Sequence, residues 1–213
     1  MQRFSNQQGK AVIDAIIKVI QDNTAFLSEI DGAIGDGDHG VNMNKGASLA
    51  KERMADQPVD LTTGLKIISD VMMNEIGGSM GPLYGLFFRQ MFRITLNKEF
   101  IDGEIFKEML TRALSSIKDL GGAKVGDKTL LDTLEPAVTA FSEKFDKEQN
   151  FFSALEAMKI AAEKGKDSTV DLVAKVGRSS RLGERSRGVL DAGATSCCLI
   201  LCTMADAIKL LAE

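Results

Sequence analysis

The chain has 213 residues and a formal net charge of −4 at pH 7, with 44% hydrophobic and 6% aromatic residues, no Trp and ten Met. A chain of this length can bury most of its apolar surface without disulfides, and its Ala, Leu, Ile and Met fill helices better than strands. Lys and Arg are scattered among the acidic residues, so we expect no nucleic-acid partner.

The sequence predicts no membrane segment. The first eight residues lack the apolar stretch of a secretory signal, and the longest uncharged apolar run, residues 193–205, is too short to span a bilayer. We therefore expect a cytoplasmic protein. The three cysteines, Cys197, Cys198 and Cys202, lie in this run and are interpreted as small buried hydrophobic residues, because the only histidine, His39, is too distant in sequence to suggest a zinc site.

Apolar residues at helical spacing predict an all-α fold of about eight helices in one domain, residues 1–213, with no alternating strand pattern. The predicted helices cover residues near 12–19, 40–54, 61–76, 82–96, 103–120, 129–145, 155–162 and 195–211. The last is apolar almost all the way round and should be the most buried. Glycine-bearing connectors separate the helices, and the functional candidates lie in these connectors at residues 32–40, 77–82, 121–126 and 177–193.

An acidic cluster begins just before the first of these connectors and extends into it. Asp31, Asp36 and Asp38 fall within eight residues on a glycine-rich backbone, and carboxylates crowded in this way repel one another unless a cation lies between them. A calcium EF-hand is excluded, because the twelfth position is Ala47 counted from Asp36 and Asn42 counted from Asp31, where the motif needs Glu. Oxygen-only ligands favour magnesium over zinc or copper.

Magnesium is rarely enclosed by protein ligands alone, so three aspartates with open coordination positions predict a nucleoside polyphosphate as the further ligand. From spacing alone, a solvated acidic turn that caps the helix beginning near Gly40 stays open as an alternative. His39, Asn42 and Asn44 favour the phosphate interpretation, because neutral donors at a helix amino terminus suit phosphate oxygens.

Two other connectors carry weaker signals. Residues 77–85 contain a Gly-Gly pair before Pro82, which suits a backbone passing close to a ligand but is also common in helix-to-helix turns, and they match neither a P-loop nor a protein-kinase glycine loop. Residues 177–186 carry Arg178, Arg181 and Arg185, whose guanidinium groups suit phosphate oxygens, although ion pairs at the surface are the alternative.

Five motifs taken together resemble the DhaL family, the ADP-binding subunits or domains of dihydroxyacetone kinases. They are IGDGDHG at 34–40, NMN at 42–44, GDKT at 126–129, LGERS at 182–186 and GATS at 193–196. The resemblance runs over nearly the whole chain. It implies an eight-helix antiparallel barrel that holds ADP and two Mg²⁺ ions in a deep pocket at one end.

The resemblance also implies roles for individual residues. The resemblance implies metal binding by Asp31, Asp36 and Asp38, and phosphate contacts by His39, Asn42 and Arg178. The remaining nucleotide-lining positions are Gly78, Ser79, Met80, Gly121, Leu130, Asp191, Ala192 and Gly193. The sequence departs from the family at two of them, since the family often has Ser at the position of Met80 and Pro at that of Ala192.

In the implied reaction the subunit retains ADP as a cofactor. A phosphohistidine carrier protein converts it to ATP, and the γ-phosphoryl group passes to dihydroxyacetone on a partner kinase subunit. No acid, base or nucleophile is assigned in this chain. Two alternatives stay open: an ATP-dependent kinase module for another short ketose, and a non-enzymatic sensor of nucleotide state that acts on a transcriptional regulator.

Overall fold

A computed structural model describes residues 2–212, and within them the chain forms nine α-helices and two three-residue strands. The helices are α1 Lys10–Asp22, α2 Thr24–Ile34, α3 His39–Met54, α4 Leu61–Glu75, α5 Met80–Thr95, α6 Gly103–Gly121, α7 Leu131–Glu148, α8 Phe151–Ser168 and α9 Ala192–Leu211. Strand β1, Arg3–Ser5, pairs antiparallel with β2, Phe100–Asp102. Short 3₁₀ turns cover Asn6–Gly9, Thr169–Asp171 and Arg178–Ser186.

The helices close into a ring. Following the chain, α3 to α9 each pack on the next, and α9 returns to α1, which packs on α3. Ion pairs show the direction of neighbouring helices: on α6 and α7, Lys107 pairs with Asp146 at 2.6 Å and Lys118 with Glu135 at 2.8 Å, so residue numbers rise on one helix as they fall on the other. The all-α antiparallel barrel is thus confirmed.

Helix α2 was not among the predicted helices. Its last residues, 32–34, fall in the predicted acidic connector, and residues 24–31 were assigned to no element. Its buried stripe is only three residues long, Leu27, Ile30 and Ile34. At Asn23, between α1 and α2, the peptide N–H donates to the carbonyl oxygen of Val19 at 3.2 Å, and the side-chain Nδ2 donates to the same oxygen at 2.8 Å. Helices α1 and α2 therefore form one bent helix, and counted in this way the ring has eight members.

Helix α9 has more buried residues than any other helix, as its composition predicts. By length and composition alone it could cross a membrane, but more than half of that stretch is buried inside the protein. It packs on α1, α7 and α8, and Cys197 and Cys198 are free thiols within this core. Packing in the barrel accounts for its apolar character.

The two ends of the barrel differ. At one end, Asn6 donates from Nδ2 to Thr62 Oγ1 and to the carbonyl oxygen of Lys98, both at 2.8 Å, and Thr62 is hydrogen-bonded to Thr95 at 2.9 Å. Together with the β1–β2 pair, this polar network fills the end where α5 stops and α4 and α6 begin. The opposite end, where α3, α5, α7 and α9 begin, is left for a cavity.

Gly40 sets the spacing between α2 and α3. A Cβ atom at this position would overlap the carbonyl oxygen of Thr24 and lie 2.7 Å from the peptide nitrogen of Ser28. We expect Gly40→Ala to push the two helices apart and to lower the free energy of unfolding by about 2–3 kcal/mol, measured by urea denaturation.

Gly32→Ala is the matched control, because a Cβ there meets nothing nearer than Gly37 Cα at 3.7 Å. Alanine in a helix is favoured over glycine by about 1 kcal/mol, so this variant should be as stable as the wild type or more so. Equal stability of the two variants would contradict the proposed close packing at Gly40.

Candidate functional site

A cavity of about 340 Å³ opens at the end of the barrel where α3, α5, α7 and α9 begin. First-turn residues of all four helices line it, and so do the connectors between the helices. All fourteen residues proposed from the sequence lie in its wall: Asp31, Asp36, Asp38, His39, Asn42, Gly78, Ser79, Met80, Gly121, Leu130, Arg178, Asp191, Ala192 and Gly193. The structure brings these residues together, while their binding roles stay predictions.

The acidic cluster is built from a helix and a loop. Asp31 is on the last turn of α2 and is partly buried, whereas Asp36 and Asp38 are exposed in the loop before α3. One carboxylate oxygen from each lies within 4.8 Å of the others. The peptide N–H of His39 donates to Asp31 Oδ2 at 3.3 Å, which links the cluster to the start of α3.

Arg178 provides a positive charge beside this cluster. Its guanidinium group forms an ion pair with Asp36 and lies 3.8 Å from Asp38 Oδ2. Three carboxylates and one guanidinium leave a formal charge of −2, which equals the charge that one divalent cation would neutralise. Because all the donor atoms are oxygens, the cluster fits a hard cation such as Mg²⁺.

His39 is held by two residues to which the sequence analysis gave no role. Its Nε2 lies 2.8 Å from Ser196 Oγ, and Ser196 Oγ lies 2.6 Å from the hydroxyl of Tyr84. Burial lowers the pKa of His39 to about 4, although the nearby charge of Asp31 opposes this effect. The imidazole is therefore neutral at pH 7. Ser196 belongs to the GATS motif, but only the fold brings it next to His39.

Lys128 lies in the GDKT motif, and the sequence predicts no role for it. Its side chain is 2% exposed, and Nζ donates to the carbonyl oxygens of Thr169 at 2.7 Å, Leu172 at 3.2 Å and Val189 at 2.6 Å. Burial lowers the pKa of this ammonium group. These three bonds tie down both ends of residues 172–189, the segment that carries Arg178.

Asp191 begins α9 as its N-cap, and its Oδ2 accepts a hydrogen bond from the peptide N–H of Ala194 at 2.7 Å. Burial raises the pKa of Asp191 from 3.8 to about 7, and the nearby charge of Asp132 adds to the effect. Asp132 itself accepts from the peptide N–H groups of Gly126 at 2.5 Å and Thr129 at 2.7 Å, which fixes the loop before α7.

The rest of the cavity wall is largely apolar. Met80, one of the two departures from the family pattern, is 8% exposed and lies in this part of the lining. The apolar side chains that line the cavity with it include Leu83, Ile117, Leu130, Leu131 and Val176. The cavity thus combines a charged cluster with apolar surface, as is usual for a site that takes an organic ligand.

Comparison with known protein families identifies the chain. The family model described as the DAK2 domain matches residues 33–206. The chain belongs to the DAK2 domain family. The matched residues include every proposed site residue except Asp31, so the resemblance drawn from the five motifs is confirmed at the level of the family.

Two curated relatives and one solved structure are similar to this DAK2 chain over most of its length. It is 38% identical to the "PEP-dependent dihydroxyacetone kinase 1, ADP-binding subunit DhaL" of Listeria innocua, over 87% of this chain and 88% of the relative. It is 30% identical to an L-erythrulose kinase of Pectobacterium atrosepticum, over 90% of this chain but 33% of that protein. The crystal structure of the dihydroxyacetone kinase of C. freundii shares the fold, with a TM-score of 0.71 and 24% identity, covering 92% of this chain and 33% of that one.

The raised pKa of Asp191 predicts a pH-dependent stability. Because its folded-state pKa of about 7 exceeds the unfolded value of 3.8, the native state binds more protons between these values. The contribution of this carboxyl group to stability is therefore lost as the pH rises through about 7. Asp191→Asn keeps an oxygen that can accept the hydrogen bond from the Ala194 N–H, and its amide group does not titrate. We expect the Tm of this variant minus the Tm of the wild type to increase between roughly pH 5 and roughly pH 8.

Thermal unfolding in the presence of a chelator measures this difference without metal binding. Asp60→Asn makes the same substitution at the N-cap of α4, where Asp60 accepts from Thr63, and reports the cost of the amide at a cap outside the cavity. A Tm difference for Asp191→Asn that stays constant over this pH range would show that Asp191 does not titrate with a raised pKa.

Proposed function

We propose that this chain, taken as one domain over residues 1–213, is the ADP-binding subunit of a dihydroxyacetone kinase. In this proposal it retains ADP as a cofactor with two Mg²⁺ ions, receives phosphate from a phosphohistidine carrier protein and passes it to dihydroxyacetone on a partner kinase subunit. The observation that carries the proposal is the acidic cluster of Asp31, Asp36 and Asp38 in a cavity lined by the first turns of four helices.

The charges in the cavity support a metal-bound polyphosphate. The cluster keeps a formal charge of −2 after pairing with Arg178 and so favours a cation, while the positive dipole ends at the starts of α3, α5, α7 and α9 favour an anion. A metal-bound polyphosphate satisfies both requirements at once. Asp31, Asp36 and Asp38 would hold Mg²⁺, and His39, Asn42 and Arg178 would contact phosphate oxygens.

The uncharged part of the wall suits the nucleoside. Gly78, Ser79 and Gly121 offer backbone groups, while Met80 and Leu130 offer apolar surface for a base. The remaining proposed positions line the cavity at the start of α9; they are Asp191, Ala192 and Gly193. Met80 replaces a hydroxyl that the family often has, so we propose that it contributes packing rather than a hydrogen bond.

No residue of this chain need act as an acid, a base or a nucleophile. His39 is neutral and already hydrogen-bonded to Ser196, and Arg178 can neutralise charge without losing a proton. When bound, Mg²⁺ would supply charge neutralisation for phosphoryl transfer. The residues of the chain would hold the phosphates in position, and the enclosing segment 172–189 would limit access of water.

The relative named L-erythrulose kinase favours a second candidate function, an ATP-dependent module that acts on another short ketose. The two candidates differ in what happens to the nucleotide. A carrier-fed subunit keeps its ADP when ATP is added, whereas an ATP-fed kinase exchanges it at each turnover. Incubation with labelled ATP followed by desalting separates the two, because only the exchanging protein acquires label.

The first test of the proposed function is the content of the purified protein. Denaturation should release adenine nucleotide and Mg²⁺ in stoichiometric amounts. Asp36→Asn and Asp38→Asn should each abolish this retention and lower the Tm, because each removes a charged metal ligand and bound ligand stabilises the folded state.

Asp70→Asn is the control for loss of an exposed aspartate, since Asp70 pairs with Lys66 on the surface of α4. It should release as much nucleotide as the wild type. If both variants in the acidic cluster retained ADP with unchanged melting, the magnesium assignment would be wrong.

The second test follows the phosphoryl group. After incubation with a radiolabelled phosphocarrier, label should leave the denatured protein with small molecules and migrate as ATP. His39→Ala should slow turnover while leaving ADP and metal bound, because the imidazole only positions phosphate oxygens in this proposal. Acid-labile label that stays on the polypeptide and disappears in His39→Ala would instead identify a phosphohistidine relay.

A further inference from the structure

Lys128 lines the cavity, but its ammonium group is not available to a ligand there. Its hydrogen bonds to the carbonyl oxygens of Thr169, Leu172 and Val189 use all three N–H groups of an ammonium group. The side chain is also 2% exposed. A lysine beside a phosphate normally donates to the phosphate oxygens, so these backbone contacts indicate a different role.

The backbone at this position favours glycine. Lys128 has a φ of +62°, in the left-handed region that residues with a Cβ atom rarely adopt. Two residues earlier, where φ is +92°, the chain does have a glycine, Gly126. The lysine side chain therefore provides an interaction that outweighs the strain of its own backbone.

The acceptors of this lysine show what the interaction achieves. Leu172 and Val189 are far apart in sequence, yet their carbonyl oxygens lie 3.2 and 2.6 Å from one nitrogen atom. The ammonium group thus closes the segment between them into a loop whose ends meet. A backbone bond of 2.7 Å from Gly188 to Val170 joins the two ends to each other, whereas the lysine joins both ends to the residues that precede α7.

The attachment point on the α7 side is itself fixed. Asp132, in the first turn of α7, accepts from the peptide N–H groups of Gly126 and Thr129, which lie on either side of Lys128 in sequence. The position of the ammonium group is therefore set by α7. Through it, segment 172–189 is attached to the start of that helix.

Arg178 lies in this segment and reaches the acidic cluster from it. The only regular structure in segment 172–189 is a 3₁₀ turn that begins at Arg178, and left-handed glycines interrupt the backbone at Gly177 and Gly183. The segment alone therefore does not fix the guanidinium group relative to Asp36, with which it forms an ion pair. Its attachment to α7 supplies that constraint.

We propose that Lys128 is a positioning residue whose ammonium group attaches segment 172–189 to the start of α7 and so places Arg178 beside the acidic cluster. In this proposal Lys128 does not contact phosphate itself. That Arg178 contacts the phosphate of a nucleotide rests on the proposed function above. The attachment of the segment does not, and it can be measured in the protein without nucleotide.

Two variants remove the ammonium group in different ways. Lys128→Met keeps most of the side-chain length, whereas Lys128→Gly also relieves the left-handed backbone and so serves if a buried methionine disturbs folding. Without nucleotide and with a chelator present, we expect the amide hydrogens of residues 173–188 to exchange about fivefold faster in both variants, measured by hydrogen–deuterium exchange and mass spectrometry.

Lys118→Met is the matched control. Lys118 also connects α7 to another part of the chain, but through an exposed ion pair with Glu135. Its loss should leave the exchange of residues 173–188 unchanged.

The link to Arg178 is tested by combining variants. The Kd for ADP with Mg²⁺ should rise about tenfold in Lys128→Gly, as for loss of a hydrogen bond to a charged group. If Lys128 acts through Arg178, adding Lys128→Gly to Arg178→Gln should change the Kd little further. A lysine that contacts phosphate, or that only stabilises the fold, would raise the Kd by the same factor in both backgrounds.

Unchanged exchange in both Lys128 variants, or an equal effect on Kd with and without the Arg178 guanidinium group, would overturn the inference. If the wild type binds no ADP while exchange rises as described, the proposed function fails and the attachment by Lys128 stands. If the wild type binds ADP and neither Lys128 variant alters exchange or Kd, the positioning role fails and the proposed function is unaffected.

Discussion

The alternating direction of the helices around the ring is the constraint on which the cavity depends. Because neighbours run antiparallel, α3, α5, α7 and α9 all begin at the same end of the barrel, and first-turn residues of each line the cavity. A helix start carries peptide N–H groups without intrahelical partners. The backbone alone therefore places the positive ends of four helices at one end of the ring. The bent α1–α2 unit brings Asp31 to the same end, where its negative charge opposes theirs.

Much of this arrangement was predictable because periodicity and composition act locally. Eight helices follow from apolar residues at helical spacing, and the heavy burial of α9 follows from residues 195–211. Helix α2 was not predictable in the same way, since Gly32 and Asp31 make its second half resemble a loop and its buried stripe has only three residues. Its helical state depends on packing against α3, where Gly40 allows close contact.

In the candidate site, too, the features set by residues close in sequence could be predicted, and those set by the fold could not. Asp31, Asp36, Asp38 and His39 are close in sequence, so their grouping could be predicted from spacing and chemistry. The link from His39 to Ser196 and Tyr84 spans 157 residues in one step and 112 in the next, and no local pattern encodes such distances. The role of Lys128 could not be predicted either. In the sequence, a buried lysine that donates hydrogen bonds to three backbone carbonyl groups cannot be distinguished from an exposed one.

The closed end of the barrel has a consequence for how the domain can be joined to other proteins. Strand β1 is fixed there by β2 and by Asn6, and α9 finishes at the same end, where Lys209 pairs with Glu156 of α8. Residues 3 and 211 thus both lie on the side away from the cavity. A polypeptide, a surface or a fluorophore attached near either residue would leave the cavity mouth unobstructed. This geometry suits tandem fusion, and the chain spans only a third of some of its relatives.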